Sequence, residues 1–123
     1  MNAATAARNE TRGTVLAERL ATASSLWGRF RGLMGRASLP TGDGLFLTGT
    51  NGIHMFFMRF AIDAVFVAKP GPDGSRRVLS VHRRVRPWIG IVPLVRGADG
   101  VVELPVGAID ASLTAPGDIL RFG

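Results

Sequence analysis

Apolar residues along this 123-residue chain fall in short runs separated by turn formers, which is a strand pattern more than a helical one. Residues 14–22, TVLAERLAT, set Glu18 and Arg19 among small and apolar residues and predict a strand exposed on one side. SSLWGRFRGLMGR (24–36) differs. Leu26, Trp27, Phe30, Leu33 and Met34 recur at helical spacing, Ser24 or Ser25 can cap, and Gly35 can end the segment, predicting one short amphipathic helix at about 25–34. GLFLTGT and IHMFFM then flank Asn51-Gly52, the preferred two-residue hairpin turn because both positions need positive φ. This predicts that 45–50 pairs with 53–58, with Gly49 opposite His54 and Leu45 opposite Met58. His54 would then share a face with Leu45, Leu47, Phe56 and Met58, and Met55 and Phe57 would lie on the other face. Further strands are expected at 62–69, 77–85, 101–105 and 118–122, and a turn of helix within 107–113. Trp88 to Val95 is apolar but interrupted by Gly90 and Pro93, and is expected to be a covering loop.

These elements predict a mainly β fold: a compact barrel-like or rolled antiparallel sheet with one short amphipathic helix. The small, polar start predicts a frayed or disordered tail over 1–12 and a single β-rich domain over 13–123.

Composition narrows the chemistry. No cysteine is present, so disulfides, thiol nucleophiles and thiolate metal sites are excluded. The start shows no cationic segment leading into an apolar run, and Arg59 and Asp63 break the longest apolar stretch. A soluble, cytoplasmic protein is expected, with no membrane partner. The net charge of +6 comes almost wholly from arginine, Lys69 being the one lysine. Arg76, Arg77, Arg83, Arg84 and Arg86 cluster in RRVLSVHRRVRP (76–87), with no acid among them. Such a stretch invites weak nucleic-acid binding, but no aromatic stands between the arginines to stack on a base, and a solvated strand face is the preferred reading.

No nucleophile motif is present: no serine sits in a Gly-x-Ser-x-Gly turn, and TGTNG lacks the P-loop lysine. His54 with Met55 and Met58 offers donors suited to Cu(I), but strand geometry sends His54 and Met55 to opposite faces. No metal and no cofactor are expected. Asp63 and Glu103 stand within apolar runs, where a carboxylate is costly unless hydrogen bonds or a cation satisfy it. Asp63 is expected to be a structural anchor that meets backbone N–H groups or an arginine, Arg59 or one from the helix.

RFRGLMGR, GLFL, IHMFFMRFAIDAVFV, VVELPVG and APGDILRF, in that order over about 14–122, resemble the motifs of the family called domain of unknown function 192. One departure is Ala61, where many members carry proline. The resemblance implies a small, single-domain, β-rich fold of bacteria and archaea, with no established activity, cofactor or substrate. Some members have been labelled regulators. It marks Gly32, Leu33, Met34, Met58, Arg59, Asp63, Glu103, Gly107, Gly117 and Asp118 as motif positions.

The resulting expectation is a binding module for a small molecule or protein, with no assignable reaction. Its candidate polar site is Arg31, His54, Arg59, Asp63 and Glu103. The alternatives are a nucleic-acid-associated regulator using the 76–86 arginines, and a small hydrolase with Asp63 or Glu103 as general base.

Overall fold

A computed structural model describes residues 5–23, 38–55 and 58–123. The helix expected at 25–34, with Arg31, and the residues Phe56 and Phe57 lie outside the described residues. The strands are β1 (Thr5–Asn9), β2 (Thr14–Ala23), β3 (Asp43–Thr48), β4 (Ile53–His54), β5 (Ile62–Val67), β6 (Arg76–Val85), β7 (Ile91–Val92), β8 (Gly100–Leu104) and β9 (Ile119–Phe122). One helical turn, α1 (Ala108–Ala111), falls where GAIDASL predicts it.

Seven strands close into a barrel in the order β1-β2-β3-β8-β5-β6-β9. Every pair is antiparallel except β2–β3, which runs parallel with Leu20 beside Gly44. Alternation along the strands sorts the side chains into two cores. Leu20, Phe46, Val65, Val102, Leu104 and Leu120 belong to the cluster that fills the barrel, and Ile109 of α1 joins it as a plug. Leu45, Leu47, Ala64, Phe66 and Val101 point out from the same central strands, where Ile53, Met55, Met58 and Val92 cover them. Both faces of β5 are therefore buried, which is why IDAVFV reads as a continuous apolar run.

Two expectations are corrected here. Residues 5–9, assigned to a frayed tail, form β1, which joins β2 to β9; Ala7 and Asn9 are buried. Without β1 the edges of β2 and β9 would stand open, so this short polar-looking strand is what closes the barrel.

The hairpin of 45–50 with 53–58 does not form either. β3 already has β2 and β8 as neighbours, so no edge remains for β4, and β4 pairs instead with β7: Ile53 with Val92, His54 with Ile91. Neither Asn51 nor Gly52 takes positive φ; Gly49 does, at 68°, and its N–H donates to the Asp99 carbonyl at 2.6 Å as the chain leaves the sheet. Gly52 is required for a different reason. A Cβ there would collide with the backbone carbonyl oxygens of Pro93 and Val92. The face assignment of His54 falls with the hairpin.

The chain from Gly49 to Met55 and the chain from Arg86 to Asp99 thus form a flap over the outer face of the barrel. Backbone bonds tie its halves together: Val95 N–H to the Asn51 carbonyl (2.6 Å), Met55 N–H to the Gly90 carbonyl (2.9 Å) and Trp88 N–H to the Met55 carbonyl (2.9 Å). The 88–95 segment does cover the core, with β7 as its only regular element. Among the described residues no helix is long and apolar enough to cross a membrane.

Candidate functional site

Asp63 sits at one mouth of the barrel, 1% exposed, on the inward face of β5. Opposite it β6 carries one residue too many: Ile62 pairs with Val85 and Ala64 with His82, leaving Arg83 and Arg84 against Asp63. This bulge puts Arg84 at φ 50° and turns its N–H onto Oδ1 of Asp63 at 3.0 Å. Oδ2 accepts the N–H groups of Gly107 and Ile109, each at 3.1 Å, at the start of α1. One carboxylate therefore joins β5, the β6 bulge and the plug helix. Its three partners are backbone amides, whereas Arg59, an expected cation partner, is exposed.

Glu103 is fully buried and lies on the opposite face. Leu45 and Ala64 flank it on the outside of the barrel, while its neighbour Leu104, paired with Asp63, points inside. Asp63 and Glu103 are thus separated by the sheet and do not share a cleft. His54 is partly exposed on β4 and lines a shallow groove of about 230 Å³ with Asn51, Gly52, Ile91 and Pro93. Of the polar site expected from the sequence, Asp63 points into the barrel and Glu103 away from it, His54 lies on β4, Arg59 is exposed, and Arg31 lies outside the described residues.

A pair missed in the sequence is Ser80 with His82. Alternation on β6 places both on its outer face, beside Phe66 and Ala64, and Ser80 Oγ shares a hydrogen bond of 2.9 Å with His82 Nε2. The His82 ring stands edge-on to Phe66, 5.5 Å between centroids. Burial holds its imidazole below the ordinary 6.5, in the neutral form near pH 7. Glu103 is on the same cross-strand row, beyond Ala64, at about 10 Å by strand spacing. Ser80 lies within β6, not at the strained strand-to-helix turn that exposes a nucleophile.

The 76–86 arginines divide. Arg76 donates to the Ala68 carbonyl and to Asp99 Oδ2, both at 3.1 Å, and its guanidinium lies 4.9 Å from the Phe46 ring centre, closing the end of the inner core. Arg83 pairs with Asp110 at 2.8 Å. Arg77, Arg84 and Arg86 are exposed.

What the structure adds is the outer surface of the flap. Trp88, Ile89, Ile91 and Leu94 are exposed by 51, 71, 61 and 63%. Large apolar residues scattered singly on a surface are ordinary, but four within seven residues form a patch. Arg84 and Arg86 precede it and Arg96 follows it, all exposed. From Gly74 to Ala98 the chain holds no acid. Trp88 holds φ at 65°, a conformation that side-chain-bearing residues rarely adopt and that functional loops often retain. A second groove, of about 340 Å³, lies beside α1 between Val15, Thr41, Pro105 and Ala111, with Glu18 its one charged residue among the described residues.

Comparison with known proteins places this fold. The family model described as "Uncharacterized ACR, COG1430", domain of unknown function 192, matches residues 7–122. A protein named UPF0127 protein from Thermococcus sibiricus is 38% identical over 106 residues, 83% of this chain; the chain spans 64% of that relative's length. A crystal structure from Sinorhizobium meliloti 1021, called a "putative transcription regulator", superposes with a TM-score of 0.72 at 21% identity, over 99% of this chain and 96% of that one. Another, a protein of unknown function from Novosphingobium aromaticivorans, gives 0.74 at 21% identity over 95% and 83%. At that identity the two structures share the fold and no more. With the ordered motifs, the seven-stranded barrel and the match over 7–122, the chain belongs to the domain of unknown function 192 family.

Proposed function

We propose that this protein is a binding module whose contact surface is the outer side of the flap, residues 84–96 with His54 beside them. The observation that carries the reading is the exposed run Trp88, Ile89, Ile91 and Leu94 held between arginines on a backbone fixed to the barrel. An apolar patch with a cationic border favours ligands that are themselves apolar and anionic. The acids do not serve this surface. Asp63 accepts from three backbone amides at the barrel mouth, and Glu103 is fully buried.

Fluorescence titration with anilinonaphthalene sulfonate, an apolar anion, tests the reading on the folded protein. Saturable binding is expected, weakened about tenfold or more by Ile91→Asp with Leu94→Asp, an effect of roughly 1.4 kcal/mol. Binding that survives both changes in a cooperatively melting variant would refute it.

A second reading rests on one observation, the exposed Trp88 next to Arg86 and near Arg84. An aromatic platform beside cations is the means by which single strands are held without sequence preference. Affinity for an oligonucleotide that falls steeply with salt and is lost in Trp88→Ala would support it; affinity indifferent to Trp88 would count against it.

A further inference from the structure

Three of the four exposed apolar residues on the flap are aliphatic, and base stacking has no use for them. An added peptide strand fits poorly too, because Pro93 follows β7 directly and has no N–H to offer along that edge. What remains is a partner that accepts aliphatic chains and one indole without directional bonds, and that presents anions around them.

We propose that residues 84–96 form an interfacial anchor for an anionic lipid surface. Ile89, Ile91 and Leu94 enter the boundary between headgroups and acyl chains. Trp88 lies at that boundary, where indole rings prefer to sit. Arg84, Arg86 and Arg96 remain at the level of the lipid phosphates, on either side of the inserted run. This inference rests on the flap being the contact surface, and it departs from the expectation that no membrane is a partner.

Charge and geometry agree. In the acid-free stretch Gly74–Ala98, Arg76 and Arg83 are held by Asp99 and Asp110, while Arg77, Arg84, Arg86 and Arg96 are exposed. The apolar tip needs no refolding to insert. Its backbone is bonded to 51–55, and Val92 turns inward to the core while Ile91, its neighbour, turns outward. Attachment is peripheral and reversible, as an apolar patch combined with a few cations gives.

Co-sedimentation with vesicles of phosphatidylcholine containing about 30% phosphatidylglycerol tests the proposal, with pure phosphatidylcholine vesicles as the neutral arm. Wild type is expected to bind the anionic vesicles about tenfold more tightly than the neutral ones. Ile89→Asp with Ile91→Asp, both at well-exposed positions, should lose about tenfold or more. Lipids brominated along the acyl chain should quench wild-type tryptophan fluorescence, and the quenching should vanish in Trp88→Phe. Equal vesicle binding by the Ile89→Asp, Ile91→Asp variant would overturn the proposal, showing only adhesion of a cationic protein. Binding to a single-stranded oligonucleotide without binding to vesicles would overturn it in favour of nucleic acid. No vesicle binding by wild type, with anilinonaphthalene sulfonate still bound to it, would overturn the lipid assignment and leave the flap as the contact surface.

Discussion

Replacing Asp63 by asparagine removes a charge without changing shape, and the geometry fixes what is lost. Oδ2 takes two N–H groups and Oδ1 takes one. In the better orientation the amide oxygen stays on Gly107 and Ile109, and the amide NH2 then faces the Arg84 N–H, donor against donor. Two charge-assisted bonds become neutral ones, at about 1 kcal/mol each, and one buried donor is orphaned, at about 1–3 kcal/mol. Relief of the desolvation cost of a buried carboxylate returns part of this. The net expectation is destabilisation on the order of 2–3 kcal/mol, read as a lower urea midpoint with an unchanged slope. Amide exchange adds a local signature. The Arg84, Gly107 and Ile109 N–H groups should exchange faster relative to global unfolding, whereas Val65 and Val102 should not. A variant within about 0.5 kcal/mol of wild type, with unchanged protection at those three amides, would refute the latch.

Near the C-terminal end of the chain Asp118 is another buried carboxylate. Burial alone would raise the Asp118 carboxyl, but hydrogen bonds from Arg12, Asn9 and the Ala115 N–H outweigh it and hold it below 3.8. The stabilisation is therefore complete above the unfolded value and lost as pH falls through the lower folded one, so urea midpoints of wild type and Asp118→Asn should converge below about pH 4. His82, lowered by burial, has the same sign: stability should fall as pH drops below about 6.5, and His82→Gln should flatten that slope. Gly52→Ala forces a methyl against the Pro93 and Val92 carbonyls and should cost about 1–3 kcal/mol, with amide shifts confined to the flap.

Much of the barrel was legible because its signals are local. β5, β8 and β9 are apolar runs between turn formers, and α1 follows the glycine of PVGAID. What failed was pairing. Asn51-Gly52 is a strong hairpin signal, but burial of β3 between β2 and β8 is worth more than one turn, and nothing in GLFLT announces a parallel neighbour. β1 was missed because TAARN is small and polar; its role comes from a partner more than a hundred residues away, seen in the Arg8–Arg121 pairing. The site was read by the same logic. Polar residues in an apolar run drew attention to Asp63 and Glu103, yet period-2 alternation in partner strands sends them to opposite faces. The flap surface had a signal of its own, arginines bracketing an acid-free apolar run, but an apolar loop reads as a cover. Sequence does not say which half of WIGIVPL turns inward.

The central claim is that contacts are made through the flap and not through the barrel mouth. Amide chemical-shift mapping during titration with anilinonaphthalene sulfonate tests it most directly. Saturable shifts should concentrate at 84–96 and 51–55. Shifts centred instead on Val15, Thr41 and 105–111, the groove beside α1, or no saturable shifts at all, would contradict it.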